Sequence, residues 1–342
     1  MFWLEKAIKN VETTAKTVLF LRFVIDTRKV GIFKTMDIKM LFYILKRLAL
    51  AIVTIFLIIT ITFFVMHAVP GGPFLSEKAV TPEVTAALEA KYGLDKPLHE
   101  QYFTYLGDVL RLDFGPSIKN RGRDVSDIIA EGFAVSAKLG LTAAACAIVI
   151  GITLGCIAAI KRNKIIDKII MVFTTAFVAM PSFIIGSLFL VLLCVKLMIF
   201  PTNSDLPGGF VLPIITLALY PMAYITRLTR SSMLDVLGQD YIRTAKAKGV
   251  SYPKIIFKHC LKNACIPVIT YAGPMIAFIV TGSLVVEKIF AVPGIGGKFV
   301  SSIINRDYTM IMGTTILLAS LVIIMTFICD ILYKLVDPRI DF

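Results

Sequence analysis

Asp240-Tyr241-Ile242-Arg243-Thr244-Ala245-Lys246-Ala247-Lys248-Gly249-Val250-Ser251-Tyr252-Pro253-Lys254 is a basic, polar island between two apolar runs. Its residues predict a helix from Asp240 to Lys248, stopped by Gly249, where a turn needs a left-handed backbone. Ser251 then stands as a cap for a second helix with Pro253 near its start. On the first helix Tyr241, Ala245 and Lys248 share a face. The small residues Thr244, Ala245 and Ala247 let another surface come close. Two short helices at a glycine bend make a compact knob able to carry force between subunits. A merely solvated basic loop is the alternative, and it has no need of Gly249 between two cappable helices.

Working outward, the chain turns strongly apolar. Of its 342 residues 57% are hydrophobic and 17% charged, the mean hydropathy is +0.82, and the charges are clustered. Soluble domains run at about 45–50% apolar. A spanning helix needs about 20 mainly apolar residues. Six segments meet that need: Ile44–Met66, Ala134–Ile160, Lys168–Met198, Gly209–Thr226, Ala264–Val286 and Met310–Leu335. The fold class is therefore all-α, a polytopic membrane protein of six transmembrane helices. Pro181 lies inside the third segment and implies a kink or a broken helix.

The net charge of +13 fits a membrane surface better than nucleic acid, because the basic residues flank apolar spans. Lys46-Arg47, the loop Lys161-Arg162-Asn163-Lys164 and the loop 227–263 all fall on one side of a six-span chain. That side is expected to be cytoplasmic, with both termini. The loop of about 67–133 has more acidic than basic residues and falls outside. Within it, Thr81-Pro82-Glu83 opens a helix that Gly93 ends near Tyr92, and a second amphipathic stretch covers about Leu98 to Leu112, together a helical cap over the outer mouth. Residues 1–39 form an extension before the transmembrane domain of 40–342. Trp3, Leu4, Ile8, Val11, Ala15 and Val18, with Lys6, Lys9 and Lys16 between them, fit an interfacial amphipathic helix. A start codon placed too early, with Met36 or Met40 as the working start, fits as well. The first long apolar run is too long for a signal h-region. No internal repeat is visible, which weighs against a secondary transporter.

The knob resembles the "EAA" loop of ATP-binding-cassette importer permeases. Ala245, Gly249 and Leu261 match that pattern, while Arg243 replaces its Glu and Lys262 its terminal Pro. Against the dipeptide, oligopeptide and nickel branch, whose version is similar to Asp-aromatic-Ile/Val-Arg-Thr-Ala-Lys/Arg-Ala-Lys-Gly, the match is nearly complete. The resemblance runs on through His67-Ala68-Val69-Pro70-Gly71, Tyr92-Gly93-Leu94-Asp95-Lys96-Pro97, Asp113-Phe114-Gly115, Arg227-Leu228-Thr229-Arg230, Val286 to Gly296 and Leu335 to Ile340. It implies a type I importer permease forming half of a translocation pathway in a bacterial or archaeal cell membrane. It implies as partners a second homologous permease, two cytoplasmic ATP-binding subunits, an extracytoplasmic solute-binding protein, membrane lipid and a short peptide, with a nickel chelate or other small solute as the alternative cargo. ATP and Mg would be bound by the ATPase subunits, with no cofactor and no enzyme activity in this chain. By the same resemblance Asp240, Tyr241, Arg243, Thr244, Ala245, Lys248, Gly249, Lys258 and Leu261 would form the ATPase-coupling surface. A secondary transporter or channel working alone, or a scaffold without flux, are the rival readings.

Other signals are weaker. Gly297-Lys298 lacks the Gly and Ser/Thr of a phosphate loop, since Val292 and Phe299 hold those positions. Pro293, Gly294 and Gly296 read as a turn at the outer mouth, in contact with a binding protein. Glu287, Lys288, Arg306 and Asp307 are candidates for that mouth, with interface snorkelling the favoured explanation. Lys138, Lys196 and Asp330 are read the same way. His67, His99 and His259 are too dispersed for a metal centre. The six cysteines, Cys146, Cys156, Cys194, Cys260, Cys265 and Cys329, read as small hydrophobes.

Overall fold

The computed structural model describes residues 38–70, 93–120 and 122–336, and positions 83, 86, 89 and 90 between them. The expected interfacial helix around residues 3–18, most of the expected helix of 81–92 and the closing residues from 337 lie outside the described residues, and residues 38 and 39 of the expected extension belong to the first helix. Twelve helical elements account for most of the rest. They are α1 (Ile38–Ala68), α2 (Leu98–Leu110), α3 (Val125–Ile160), α4 (Ile165–Ala179) and α5 (Ser182–Phe189, widening into a π-helical turn over Leu190–Lys196). Then follow α6 (Val211–Leu237), α7 (Asp240–Ala247) and α8, a composite of Tyr252–Lys254, a π-helical stretch Ile255–Cys260 and Leu261–Ala264. The last are α9 (Ile266–Val280), α10 (Leu284–Ile289), α11 (Ile295–Asn305) and α12 (Tyr308–Val336). Among the described residues there is no strand, only an isolated bridge between Pro116 and Asp124.

Among the described residues five helical segments are long and apolar enough to cross a bilayer, and the pair α4 and α5 supplies a sixth crossing if taken as one. The expected third span is broken: α4 and α5 meet at an angle of 102°. Met180 is extended there, as a residue before proline prefers, and Pro181 has no N–H to continue the ladder. Other boundaries also shift. The second span begins at Val125 rather than Ala134, and the fourth runs on to Leu237, past Thr226. The fifth stops at Val280, and the chain bends through Thr281-Gly282-Ser283 before α10 resumes.

At the centre α3 lies along α6. Small residues on α3, among them Ala143, Ala147, Ala158 and Ala159, are buried at or near zero exposure. Small side chains let two backbones approach in a medium where lipid offers no hydrophobic drive. By contrast, α1 rides at the rim. Val53, Leu57, Ile61 and Phe64 recur at helical spacing, all exposed and all apolar, the face a lipid chain would cover. Its main packing partner is α12, and near its start the Arg47 guanidinium meets the Asp330 carboxylate at 3.0 Å.

The polarity of the bundle follows from its clusters. At one end Ala159, Met233, Ile242, Ile255, Cys260 and Ala264 pack together, placing α7, α8 and the 161–164 loop side by side. The Arg47–Asp330 pair puts the start of α1 and the end of α12 near each other. At the other end Phe63, Met66, Ile118 and Tyr308 form one cluster, and Val125, Ile128, Ile295 and Met310 another. The expected second amphipathic stretch is present as α2. It packs on the later half of α1, away from the knob end, where Tyr102 Oη and Thr60 Oγ1 are 2.8 Å apart and His67 Nε2 and Gln101 Oε1 are 3.0 Å apart. Gly93, at φ +67°, ends the preceding turn with Leu94 N donating to Glu89 O, as expected.

Candidate functional site

Arg227 and the knob share the basic end of the molecule. α7 covers Asp240–Ala247 with Lys248 as its last cap residue. Ile242, fully buried, pins the helix to the bundle. Gly249 has φ +74°, Gly249 N donates to Lys246 O at 3.0 Å, and Val250 N donates to Ala245 O at 3.2 Å. Two bonds returning to the last turn through a left-handed residue are how a helix is closed without orphan carbonyls. Ser251 does occupy the cap position of α8, but its side chain makes no capping bond, so Pro253 and the buried residues behind it set the start instead. Asn263 Nδ2 donates to Tyr241 Oη at 2.9 Å and ties the far part of α8 back to α7. Ile255, Ile256, Cys260 and Ala264 hold α8 against Ala159 and Met233.

The expected coupling residues divide into two sets. Asp240, Tyr241, Arg243, Thr244, Lys248, Gly249 and Lys258 are exposed, and Ala245 is half-buried. Arg243 Nη1 lies 3.4 Å from Asp240 Oδ1, an exposed pair of little energetic weight. Leu261 is buried in the core cluster, so it anchors the knob rather than forming part of its outer surface. Two exposed aromatics, Tyr252 and Phe257, join Tyr241 on the knob and escaped the sequence reading. Aromatics left in water on a basic surface are the residues that docking interfaces favour. Burial pushes the Cys260 thiol up and the Cys265 thiol up to about 11, which keeps both protonated and unreactive. They pack as small hydrophobes, as expected.

Behind the knob lies a pair with no sequence signal. Arg230 of α6 grips Asp167 of α4 with Nε–Oδ1 at 2.6 Å and Nη2–Oδ2 at 2.8 Å, and Asp167 Oδ2 also accepts from Asn163 N at 2.8 Å. A bidentate guanidinium fixes orientation as well as distance. It links the helix entering the knob to the preceding basic loop. Asp167→Ala should leave the partly buried Arg230 charge unpaired and cost about 2 kcal/mol. A lowered melting midpoint of the purified protein, partly restored by exchanging the charges at 167 and 230, is the expected result. An unchanged midpoint in Asp167→Ala would show the pair to be idle.

At the end opposite the knob the carboxylates are organised, and the snorkelling explanation fails for two of them. Glu287 and Asp307 are each 1% exposed. Glu287 Oε1 accepts from Ser136 Oγ at 2.6 Å, and its Oε2 accepts from Gly297 N at 3.0 Å. Gly294 and Gly296 lie against the same carboxylate, where a Cβ would collide. Asp307 caps α12 by accepting from Met310 N at 3.3 Å, and it holds the 117–119 turn through Ser117 Oγ at 2.5 Å and Ile118 N at 3.2 Å. Polar groups at depth are retained when hydrogen-bond partners surround them. Arg306 adopts φ +56° as the end of α11 and donates to Pro70 O at 3.4 Å. Asp330 pairs with Arg47 instead of snorkelling, and Lys138 Nζ sits 5.7 Å from the centre of the Phe210 ring. Lys196 is exposed at the end of its span, as expected.

Between these elements opens a cleft of about 510 Å³, lined by Pro293, Gly294, Lys288, Lys298, Lys119 and Arg123 among others. Arg123 is paired with Glu131 at 2.6 Å. Among the described residues no cluster of three His, Cys, Asp or Glu has the geometry to hold a metal ion.

Relatives with curated names align over most of the chain. The dipeptide transport system permease protein DppB of Bacillus subtilis is 48% identical over 299 residues, covering 87% of this chain and 97% of that protein. The oligopeptide transport system permease protein OppB of Haemophilus influenzae is 45% identical over 306 residues, 89% of this chain and all of that protein. OppB of Salmonella typhimurium is 44% identical over the same length. The family described as binding-protein-dependent transport system inner membrane component matches residues 151–342, and its amino-terminal companion matches residues 40–134. With the apolar helices and the glycine-hinged knob in place, the chain belongs to the binding-protein-dependent transport system inner membrane components.

Proposed function

We propose that this chain is one permease subunit of an ATP-driven importer of short peptides, with its knob seated in a cytoplasmic ATPase. The observation that carries the reading is the knob itself. It is rigid inside, through Ile242, Ile255 and the Tyr241–Asn263 bond, and outside it offers charge and aromatic rings. Only Gly238 and Gln239 separate it from α6, and only Cys265 separates α8 from α9. Such short joints pass a displacement of the knob to both spans. Closure of an ATPase pair on ATP and Mg, bound by those subunits, would rock the two spans and alternate access, with a second permease supplying the other half of the path. The dipeptide and oligopeptide cargo of the named relatives supports peptide as substrate, and a solute-binding protein at the cleft by Pro293 and Gly294 would deliver it. The knob, the 161–164 loop and the ends of α1 and α12 then face the cytoplasm.

Gly249→Val tests the coupling. No atom lies within 4 Å of a Cβ placed there, so the penalty is the left-handed backbone, about 1–2 kcal/mol. The variant should insert and retain its bundle while ATP-dependent uptake of a labelled peptide and peptide-stimulated ATP hydrolysis fall together. Wild-type values for both would count against the knob as coupler. Uptake that survives ATP depletion but collapses with the ion gradients would favour a secondary transporter.

A further inference from the structure

Val211 and Ile215 in the first turns of α6 are exposed and apolar, but from its middle onward the exposed residues fall on one stripe at helical spacing on the opposite side: Tyr220, Tyr224, Arg227, Ser231 and Asp235. Every member is polar or carries a polar tip. Over that length the other faces of the helix are packed inside the bundle, through Leu219, Ala223, Ile225, Thr226 and Thr229. The contrast with α1 is direct, since its exposed stripe of Val53, Leu57, Ile61 and Phe64 has no polar atom. Tyr220 and Tyr224 are 46% and 40% exposed. At 1.5 Å per residue they lie about 14 and 20 Å from the first residue of a helix about 40 Å long, near its middle. Their depth is wrong for an interfacial aromatic belt, which sits at headgroup level. Across from them on α9, the Tyr271 ring lies 4.3 Å from that of Tyr224. None of the three phenol hydroxyls has a hydrogen-bond partner among the described residues, nor do the Arg227 and Asp235 side chains.

Hydrocarbon would leave these hydroxyls and charges unsatisfied at a cost of kilocalories each. A helix–helix seam with another subunit is the second alternative, and such seams favour small residues, which this chain keeps on α3. We propose that the stripe lines the wet translocation path, and that Tyr220, Tyr224 and Tyr271 are a contact site for the backbone of the passing peptide. The inference rests on the peptide-import reading and deepens it. A phenol both donates and accepts, so it can meet either the N–H or the C=O of any peptide unit. Its ring gives an apolar surface that does not discriminate among side chains. Three such groups in mid-membrane replace water along the backbone and remain indifferent to sequence.

The test uses the whole complex in membranes with Tyr220→Cys or Tyr224→Cys, and Leu57→Cys as the lipid-facing comparison. The native cysteines are buried or half-buried, so background is low. The probe is a charged, membrane-impermeant methanethiosulfonate, with trialanine and ATP as the competing cargo. Both tyrosine positions should react far faster than Leu57→Cys, and trialanine turnover should slow that reaction. Reaction as slow as at Leu57→Cys would overturn the proposal and assign the stripe to lipid or a subunit seam. Fast reaction untouched by trialanine would overturn the peptide contact. Tyr224→Phe keeps the ring and removes one hydrogen bond, so kcat/KM for trialanine uptake should fall about threefold to tenfold at equal complex levels. An unchanged value would also sink the contact. Failure of the import reading shows elsewhere, as absence of ATP-dependent trialanine uptake by the unsubstituted complex.

Discussion

Gly155→Leu should abolish the assembled protein. A Cβ at Gly155 would stand 2.5 Å from Thr229 Cβ and 2.7 Å from Thr226 O, both on α6. One turn earlier, a Cβ at Gly151 would meet Ile225 Cγ2 at 2.8 Å and Met222 O at 2.9 Å. Backbone carbonyls cannot rotate aside as a side chain can, so α3 and α6 would have to separate along their length. Overpacking a filled interior costs about 1–3 kcal/mol where side chains yield. Here the whole central pair must move, and a loss above about 4 kcal/mol is expected. The variant should reach the membrane yet give no monodisperse complex on size exclusion in detergent. Gly155→Ala should fall between, because even a methyl group overlaps. Gly107→Ala, where nothing lies within 4 Å, should behave as the unsubstituted protein. A monodisperse, active Gly155→Leu complex would disprove the close approach of α3 and α6.

Asp307→Ala should be the next most damaging change. It removes the acceptor for Ser117 Oγ, Ile118 N and Met310 N, and for Thr309 Oγ1 at 3.1 Å. Lys119 N, 3.4 Å from the same carboxylate, loses it as well. Each buried donor left without a partner costs about 1–3 kcal/mol, and the sites relax together, so about 3–5 kcal/mol is expected for the set. Loss of a helix cap is part of that sum, about 1 kcal/mol. Asp307→Asn keeps one acceptor oxygen and should lose roughly half as much. Thermal unfolding of the purified protein reads the difference, and protease cutting between 113 and 124 should rise in parallel. Were the alanine variant to melt with the unsubstituted protein, the carboxylate would be dispensable to the end opposite the knob.

The order of apolar segments was legible in sequence because lipid imposes one simple rule on composition. The helix from Asp240 and its stop at Gly249 were legible for a local reason: glycine at a left-handed position leaves a mark within a few residues. The break at Pro181 was visible as a possibility, but its angle depends on what α4 and α5 pack against. Asp307 and Glu287 were misjudged as snorkelling because their partners, Ser117 and Ser136, lie 190 and 151 residues away. The Asp167–Arg230 grip was invisible for the same reason, with 63 residues between its members. Leu261 matched a surface motif by spacing, yet the π-helical stretch before it turns that side chain inward.

The join between Arg47 and Asp330 has a consequence for biogenesis. Among the described helices, the earliest to leave the ribosome finds its main packing surface on the latest. Throughout synthesis of the intervening chain, α1 must wait in the membrane with its arginine uncompensated, held near the headgroups. Ribosomal release of α12 therefore completes this contact, and a chain truncated before Asp330 would leave α1 without its partner, a natural mark for quality-control proteases.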